Sequence, residues 1–382
     1  MWLVVSFCNS IRGSSEYSKY GLSQLAVINL KCQRLFFIKI PRKIDPRGFT
    51  GLACSGEYIY TVTYTRDTPY LVRLKKQGLG VDLIRKAEPV RDPHSMICFG
   101  GRLYLVSSGT NSVEMFDPKN FDYLGRYYQH PGTTPTDDQV HINSIFLHRG
   151  QLWASAFGLI VDKNWSKASG GYLINMANGQ KLYKIYHPHS VAVEGGDFYY
   201  CESWTSSVYK NGEVIKQIPE AYVRGLDVDK ARLVVGISSG RRVSKSRGTM
   251  NVAGSLGSHS TFSGVLVVNR RNQVEDYWDL SKYFREIYDI RFVNDIVVDT
   301  KDNIVGEYEL KSNKTIYKNF VASLLMDENE ELRRRLDEVE REKAIMRSEL
   351  ETRAGEMPTL GQSRGRGLRL LLDKIKGWRL LI

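Results

Sequence analysis

Residues His94 to Tyr128 have the sequence HSMICFGGRLYLVSSGTNSVEMFDPKNFDYLGRYY. The stretch contains four short apolar or alternating runs, separated by turns rich in glycine, asparagine and aspartate. Such a pattern predicts four consecutive antiparallel β-strands. Four short strands are also the repeating unit of a β-propeller blade.

Four further segments repeat this pattern. Together with His94, the five segments begin at Thr50, His94, Asn143, His189 and Arg224. In each segment the starting residue precedes the first apolar residue of the second predicted strand by nine positions. Those apolar residues are Ile59, Leu103, Leu152, Phe198 and Leu233. A common offset and a spacing of about 40–50 residues are typical of propeller blades.

The two ends of the repeat region supply a sixth blade. LVVSFCNS from Leu3 matches LYLVSSGT from Leu103, but no inner strand precedes it. We expect IYDIRFV, from Ile287 to Val293, to supply that strand, which removes the open edge of the ring. The sequence therefore predicts an all-β, six-bladed propeller over residues 1–320, closed by N- and C-terminal strands. A two-sheet sandwich is the alternative, but it does not explain the common offset.

The inner strands predict two rings of side chains around a central channel, because residues two apart on a strand face the same way. The first ring is Thr50, His94, Asn143, His189, Arg224 and Arg291. The second ring is Gly48, Asp92, His141, His187, Tyr222 and Asp289. Apart from Gly48 every member is polar, and four of the seven histidines lie here.

Three interpretations of these rings remain open. The first is a polar, water-filled channel with no ligand. The second is a site for a small polar, anionic or sugar-like ligand. Its candidate residues are His94, Asn143, His189, Arg224, Arg291 and Tyr222, with Glu202 and Trp204 from a loop after a second strand. The third is a divalent metal held by some of Asp92, His141, His187 and His189.

The C-terminal part changes from strand to heptad periodicity, and we predict a coiled coil over residues 321–353. One seam position is occupied by Leu325, Leu332, Val339 and Met346, and the other by Asn329, Leu336, Lys343 and Leu350. This pattern favours self-association through residues 325–350, with a single solvated helix as the alternative. Residues 354–382 form a predicted linker and a short basic amphipathic tail that could dock on a partner or an anionic membrane surface.

The charge, the cysteines and the motifs of the sequence bear on which partners, compartment and enzyme classes are expected. The net charge of +12 is spread along the chain, so a solvated basic surface is favoured over nucleic-acid binding. The segment Arg241–Ser263, which interrupts the fifth repeat, is predicted to be a surface loop, or alternatively a basic lid over the channel. Five cysteines without metal-type spacing, and no recognisable signal peptide, favour a cytoplasmic setting. No P-loop, dinucleotide fingerprint or nucleophile elbow occurs.

Two segments, HPHSVAVEGGDFYYCESWTSSV from His187 and EIYDIRFV from Glu286, resemble an uncharacterised bacterial family of six-bladed propellers. The resemblance covers roughly residues 2–300 and implies the fold but no activity. The C-terminal coiled coil with its GWRLL end is similar to tails of bacterial surface-polysaccharide enzymes, which implies a glycan-related setting. Gluconolactonase-like propellers hold a channel metal with carboxylates and asparagine, a ligand set that this sequence does not reproduce.

The leading functional hypothesis is therefore a propeller that binds a small polar or anionic ligand, or a protein partner, at its channel. A metal-dependent hydrolase or lyase acting on a carbohydrate-like substrate is the first alternative. An interaction scaffold assembled by the coiled coil is the second.

Overall fold

The chain divides into two compact units, Met1–Val321 and Ala322–Ile382, in a computed structural model. The structure describes residues 1–8, 23–41, 44, 47–64, 68–162, 168, 170–218, 221–238, 263–299, 302–315, 317–318, 332–346 and 348. The insertion predicted over Arg241–Ser263 (apart from Ser263) and the tail over 354–382 lie outside these residues. The division into 1–320, 321–353 and 354–382 stays a prediction.

The first unit is a six-bladed β-propeller, as predicted, with one sheet per blade among the described residues. Blade one comprises β4 (Gly48–Ser55), β5 (Tyr58–Tyr64), β6 (Tyr70–Lys75) and β7 (Val81–Lys86). Blade two comprises β8 (Pro93–Phe99), β9 (Arg102–Ser107), β10 (Ser112–Phe116) and β11 (Tyr123–Gln129). Blade three comprises β12 (Ile142–His148), β13 (Gln151–Ala156), β14 (Gly171–Asn175) and β15 (Lys181–Ile185).

Blades four to six complete the ring. Blade four comprises β16 (Pro188–Glu194), β17 (Asp197–Glu202), β18 (Ser207–Lys210) and β19 (Glu213–Gln217). Blade five comprises β20 (Tyr222–Val228), β21 (Arg232–Ser238), β22 (Gly264–Asn269) and β23 (Val274–Asp279). Blade six comprises β24 (Ile287–Val293), β1 (Trp2–Phe7), β2 (Leu25–Asn29), β3 (Arg34–Ile38) and β25 (Ile304–Glu309). Each inner strand lies beside the inner strand of the next blade, and β24 lies beside β4.

The apolar core lies between adjacent blades. One cluster, for example, joins Val106 and Val113 of blade two to Ile142 and Ala154 of blade three. Because both faces of every sheet are covered by neighbours, second strands such as β13 are buried at nearly every position. Burial on both faces explains why the second strands contain continuous apolar runs and not only an alternation of apolar and polar residues.

The predicted closure of the sixth blade is confirmed. The strand β24 supplies the missing inner strand and pairs antiparallel with β1, with Leu3 opposite Phe292 and Val5 opposite Ile290. Phe7 at the end of β1 stacks on Phe284, with ring centroids 4.1 Å apart. A fifth strand, β25, which the sequence did not predict, covers the outer edge of this blade through β3. The strand β3 is thereby paired on both of its edges, with β2 and with β25.

The described part of the second unit is a helix over residues 332–346, in which every residue is exposed. The exposed residues include four members of the predicted seam, Leu332, Leu336, Val339 and Met346. The predicted coiled coil is not confirmed, because the described residues of this unit contain one short helix. No helix in the described segments has the length and apolar character to span a lipid bilayer.

Candidate functional site

Each inner strand carries an irregularity in its pairing at the position where it passes the channel. The register between each inner strand and the second strand of its blade shifts at one point. On β24 the pairing omits Tyr288. On the other five inner strands the shift lies between Phe49 and Leu52, Pro93 and Met96, Ile142 and Ile145, His189 and Val191, and Val223 and Leu226. These are β-bulges, which bend a strand and change the direction of a side chain. The first predicted ring coincides with these bulges in the first five blades.

The observed ring therefore consists of Thr50, His94, Asn143, His189, Arg224 and Tyr288, all of them buried. The sequence placed Arg291 in the sixth position, and the structure corrects this to Tyr288. Members of the second ring precede those of the first by two positions. Its sixth member is therefore Glu286 rather than Asp289. The error arose because the inner strand of blade six is not followed by its own second strand, so the nine-residue offset could not be counted there.

Arg291 lies three residues further along β24, where it is surrounded by acidic groups. Its Nη2 lies 3.4 Å from Asp289 Oδ2, and its Nη1 lies 3.9 Å from Asp227 Oδ1. Asp289 Oδ2 also accepts a hydrogen bond from the backbone N–H of Leu52 at 3.0 Å. This cluster of one guanidinium and two carboxyl groups, of which Asp289 is buried, joins blades five, six and one. Arg291 is thus placed to hold blades together.

The hydrogen bonds around His94 fix which of its nitrogens carries the proton. Nδ1 lies 3.0 Å from the carbonyl oxygen of Asp92 and 3.0 Å from Ser108 Oγ. The Ser108 hydroxyl donates its own hydrogen to the carbonyl of Ile142 in the next blade, so Nδ1 must be the donor. Nε2 of His94 is therefore unprotonated and carries a lone pair.

His189 repeats this arrangement in blade four. Nδ1 donates to the carbonyl of His187 at 3.0 Å and to Ser203 Oγ at 2.8 Å. Ser203 in turn donates to the carbonyl of Val223 in blade five at 2.6 Å. Nε2 then accepts a hydrogen bond from the hydroxyl of Tyr222 at 3.1 Å.

Burial keeps both of these histidines neutral. It lowers the pKa of His94 well below its usual value, and the positive charges of His141 and Arg224 act in the same direction. Burial also lowers the pKa of His189 well below its usual value, again with the help of Arg224 and His141. At neutral pH the ring therefore presents imidazole lone pairs rather than imidazolium charges.

His141 differs, because it has a carboxylate partner. Its Nδ1 lies 2.6 Å from Asp138 Oδ2, and its backbone N–H donates to Asp138 Oδ1 at 2.9 Å. Burial opposes protonation of the imidazole, but the charge and hydrogen bond of Asp138 outweigh it and raise the pKa of His141. Asp138 fixes the ring orientation and directs the proton to Nδ1.

The predicted metal ligands do not all converge. Asp92 and His141 come together with His94, and a ligand atom of each lies within 4.8 Å of the other two. His187 and His189 are not part of this group. Phe157 stacks on His187 at 4.6 Å and also contacts His141 at 4.5 Å and His189 at 5.0 Å, measured between ring centroids. Its aromatic ring therefore lies among the histidines of blades three and four.

Three members of the second ring adopt the same unusual backbone conformation. Asp92, His141 and His187 have φ angles of 48°, 47° and 52°, in the left-handed region. A side chain other than glycine seldom occupies this region, and the strain is usually retained where the surrounding structure requires it. The conformation recurs at one position in three successive blades, immediately before the bulge.

The opposite side of the ring contains a buried cation. The guanidinium of Arg224 lies over the ring of Tyr288, 3.6 Å from its centroid, which is a close cation–π contact. Arg224 Nη1 also lies 3.9 Å from Cys8 Sγ, and the Cys8 thiol donates to Glu286 Oε2 at 3.3 Å. Tyr288 contacts His94 edge to face at 5.6 Å and so connects the cation with the cluster of Asp92 and its two histidines.

Several ring members have buried polar atoms without a hydrogen-bond partner among the described residues, and two of these atoms bear on ligand binding. They are Asn143 Nδ2 and Thr50 Oγ1, both fully buried from solvent. Such groups in native proteins are normally satisfied by water or a ligand. The ring therefore retains hydrogen-bonding capacity for another molecule.

The two loop candidates, Glu202 and Trp204, lie beside the site rather than in the ring. The carboxylate of Glu202 accepts hydrogen bonds from the Tyr186 N–H at 2.6 Å, from Thr205 Oγ1 at 2.8 Å and from the Tyr209 hydroxyl at 2.7 Å. These bonds brace the loop within blade four. Trp204 is 38% exposed and contacts His187 at 5.1 Å.

Sequence reasoning missed Asp138, Tyr288, Phe157 and Ser108. A signal existed for Tyr288, since Glu286-Ile-Tyr-Asp-Ile aligns with Tyr222-Val-Arg-Gly-Leu when the apolar residues flanking the bulge are matched. Asp138 lies in a loop that has no repeat counterpart, so comparison of the blades could not find it.

Comparisons with known proteins show the fold alone. No protein-family model and no curated protein sequence matches the chain. The crystal structure of a protein of unknown function from Bacteroides caccae is similar over 77% of this chain and 99% of that chain, with 13% identity and a TM-score of 0.51. A chain of a nidogen/laminin complex matches over 76% of this chain and 97% of its own, with 10% identity and a TM-score of 0.46. A protein provisionally named a gluconolactonase matches over 61% and 90%, with 12% identity and a TM-score of 0.38.

Proposed function

We propose that this propeller binds a small anionic, oxygen-rich ligand in its channel, at the ring of bulge residues. The observation that carries the proposal is the position of Arg224, a buried guanidinium within a ring of six polar side chains. A guanidinium keeps its charge at neutral pH, and its planar set of donors matches the oxygen pairs of carboxylates and the oxygens of phosphate. An anionic group in the channel provides that match.

The other ring members complement such a ligand. Asn143 Nδ2 and Thr50 Oγ1 supply hydrogen-bonding capacity that the described residues do not use. Burial raises the pKa of Tyr288 well above its usual value, so its hydroxyl remains a donor at neutral pH. The neutral imidazole of His94 adds an acceptor. Mixed donors and acceptors around one cation favour a hydroxylated acid, such as a sugar acid, over a bare anion.

The proposal is tested by calorimetric titration with gluconate, citrate, phosphate and sulfate, using the parent protein and Arg224→Gln. We expect at least one carboxylate to bind the parent and to lose about tenfold or more in affinity on loss of the guanidinium. Arg232→Gln is the control, because Arg232 is an exposed partner of Glu275 and its change removes the same charge outside the channel. No binding by any of the four anions, or equal binding by both variants, would refute the proposal.

We further propose that the second unit makes the propeller multivalent by pairing with a second copy of its helix. The exposed seam residues Leu332, Leu336, Val339 and Met346 support this, since an apolar seam with seven-residue spacing is buried when helices pair. Glutamate and arginine occupy the flanking positions and provide complementary charge. This arrangement would combine several channel sites in one particle.

We also propose a cytoplasmic location. All five cysteines are free, as expected in a reducing compartment. A catalytic activity, as a metal-dependent hydrolase or lyase, remains an alternative prediction.

A further inference from the structure

We propose that Asp92, His94 and His141 form a binding site for one divalent transition-metal ion at the channel. A ligand atom of each lies within 4.8 Å of the other two, and the two imidazole rings meet with centroids 4.7 Å apart. Ligands bonded at about 2.0–2.2 Å around one Zn²⁺ ion are roughly 3–4 Å from one another. The three ligand atoms would therefore have to move closer by about 1 Å to hold one ion.

The outer hydrogen bonds of both histidines have the pattern that metal sites require. A ligating imidazole donates its other N–H to a carboxylate, a carbonyl or a similar acceptor, which fixes its tautomer and direction. Asp138 does this for His141 at 2.6 Å, and the Asp92 carbonyl with Ser108 does it for His94 at 3.0 Å. These bonds hold both imidazoles by Nδ1, and a metal bound at Nε2 of His141 would replace the proton there.

The backbone provides an independent indication. Asp92 and His141 occupy the same position in neighbouring blades, and both have the left-handed conformation described above. That conformation places both residues at the start of the inner strand, immediately before the bulge. Strained backbone of this kind is concentrated at ligand-binding and catalytic sites.

Two imidazoles and one carboxylate are suited to zinc, iron, cobalt, nickel or manganese rather than to calcium or magnesium. Three protein ligands leave at least one coordination position open, as in sites that bind a further water or ligand oxygen. Tyr288 lies against His94 at 5.6 Å, and Arg224 lies over Tyr288. A ligand on the metal could therefore extend toward the guanidinium.

This inference does not depend on the proposed anion binding, because the metal is measured without any anion of the panel. The full-length protein is freed of metal with a chelator and titrated with Zn²⁺ in competition with a chromophoric chelator. We expect one ion per chain. Asp92→Ala, which removes a side chain that is 41% exposed, and His94→Ala should each abolish stoichiometric binding. Asp138→Asn should weaken it by about 10–100-fold, as an outer partner does.

His187→Ala is the matched control, because His187 has the same strand position and the same backbone conformation one blade further on but lies outside the cluster. We expect it to bind Zn²⁺ as the parent does. Substitution with Co²⁺ should give an absorption spectrum of nitrogen and oxygen ligation that is lost in Asp92→Ala. No stoichiometric Zn²⁺ in the parent, unchanged binding in folded Asp92→Ala and His94→Ala, or a loss in His187→Ala equal to that in His94→Ala would overturn the inference.

Discussion

The neutral state of His189 predicts a measurable dependence of stability on pH. Burial lowers the pKa of this imidazole well below that of an unfolded chain, about 6.5, so the unfolded state takes up a proton that the folded state does not. Stability due to this residue is therefore complete above pH 7 and is lost as the pH falls through 6.5. At pH 5.0, which is about 1.5 units below that value, the loss is at most about 2 kcal/mol at 1.36 kcal/mol per unit.

The test compares the parent with His189→Gln in urea unfolding at pH 8.5, 7.5 and 5.0, with a chelator present. Glutamine keeps an amide donor and acceptor near Ser203 and Tyr222 but does not titrate. The other histidines are present in both proteins. The difference in how the free energy of unfolding depends on pH is therefore due to His189 and the groups coupled to it. We expect the parent to lose more stability than the variant between pH 7.5 and 5.0, by up to about 2 kcal/mol, and no difference in slope between 8.5 and 7.5. Equal losses at pH 5.0 would refute the assigned neutral state.

Three further predictions concern the closure, the thiols and the helix. Phe7→Ala should lower the free energy of unfolding by about 3–5 kcal/mol, because the ring is fully buried and stacked where the last blade closes; a loss below about 1 kcal/mol in urea unfolding would contradict this packing. A thiol reagent should label one cysteine rapidly in the native protein, the exposed Cys32, because Cys8 and Cys201 are buried and burial raises the pKa of the partly buried Cys54 and Cys98 to about 12. Cys32→Ser should remove that fast phase, and a second fast thiol would contradict the prediction. Sedimentation equilibrium should show an oligomer that Leu336→Asp dissociates, and a monomeric parent would exclude pairing through this seam.

The blade count and the closure could be predicted because they depend on local patterns. The nine-residue offset between the ring residue and the second strand arises from one hairpin repeated in five blades, and the five residues that it selects lie at the bulges of their inner strands. Blade six has no such hairpin in sequence, since its second strand is β1 at the other end of the chain. For this reason the prediction chose Arg291 where the channel contains Tyr288.

The composition of the site was harder to predict than its location. Strand periodicity indicates which residues face the channel, but it does not show which neighbours are separated by an aromatic ring. Phe157 follows β13 and contacts His141, His187 and His189, so side chains that looked equivalent in sequence are placed in different surroundings. Asp138 enters from a loop, and only the folded chain brings its carboxylate to His141.

The closure of blade six also has a consequence for the order in which the site is assembled. The backbone N–H of Asp289 donates to Ser6 Oγ across 283 residues of sequence. Contacts of such long range add to the loop-closure entropy and are associated with slow folding. During synthesis β1 must wait for β24 to leave the ribosome, and Tyr288 arrives only then. A nascent chain can therefore complete five blades without having the finished ring, so capture of an anion between Arg224 and Tyr288 would mark chains in which β1 and β24 have already paired.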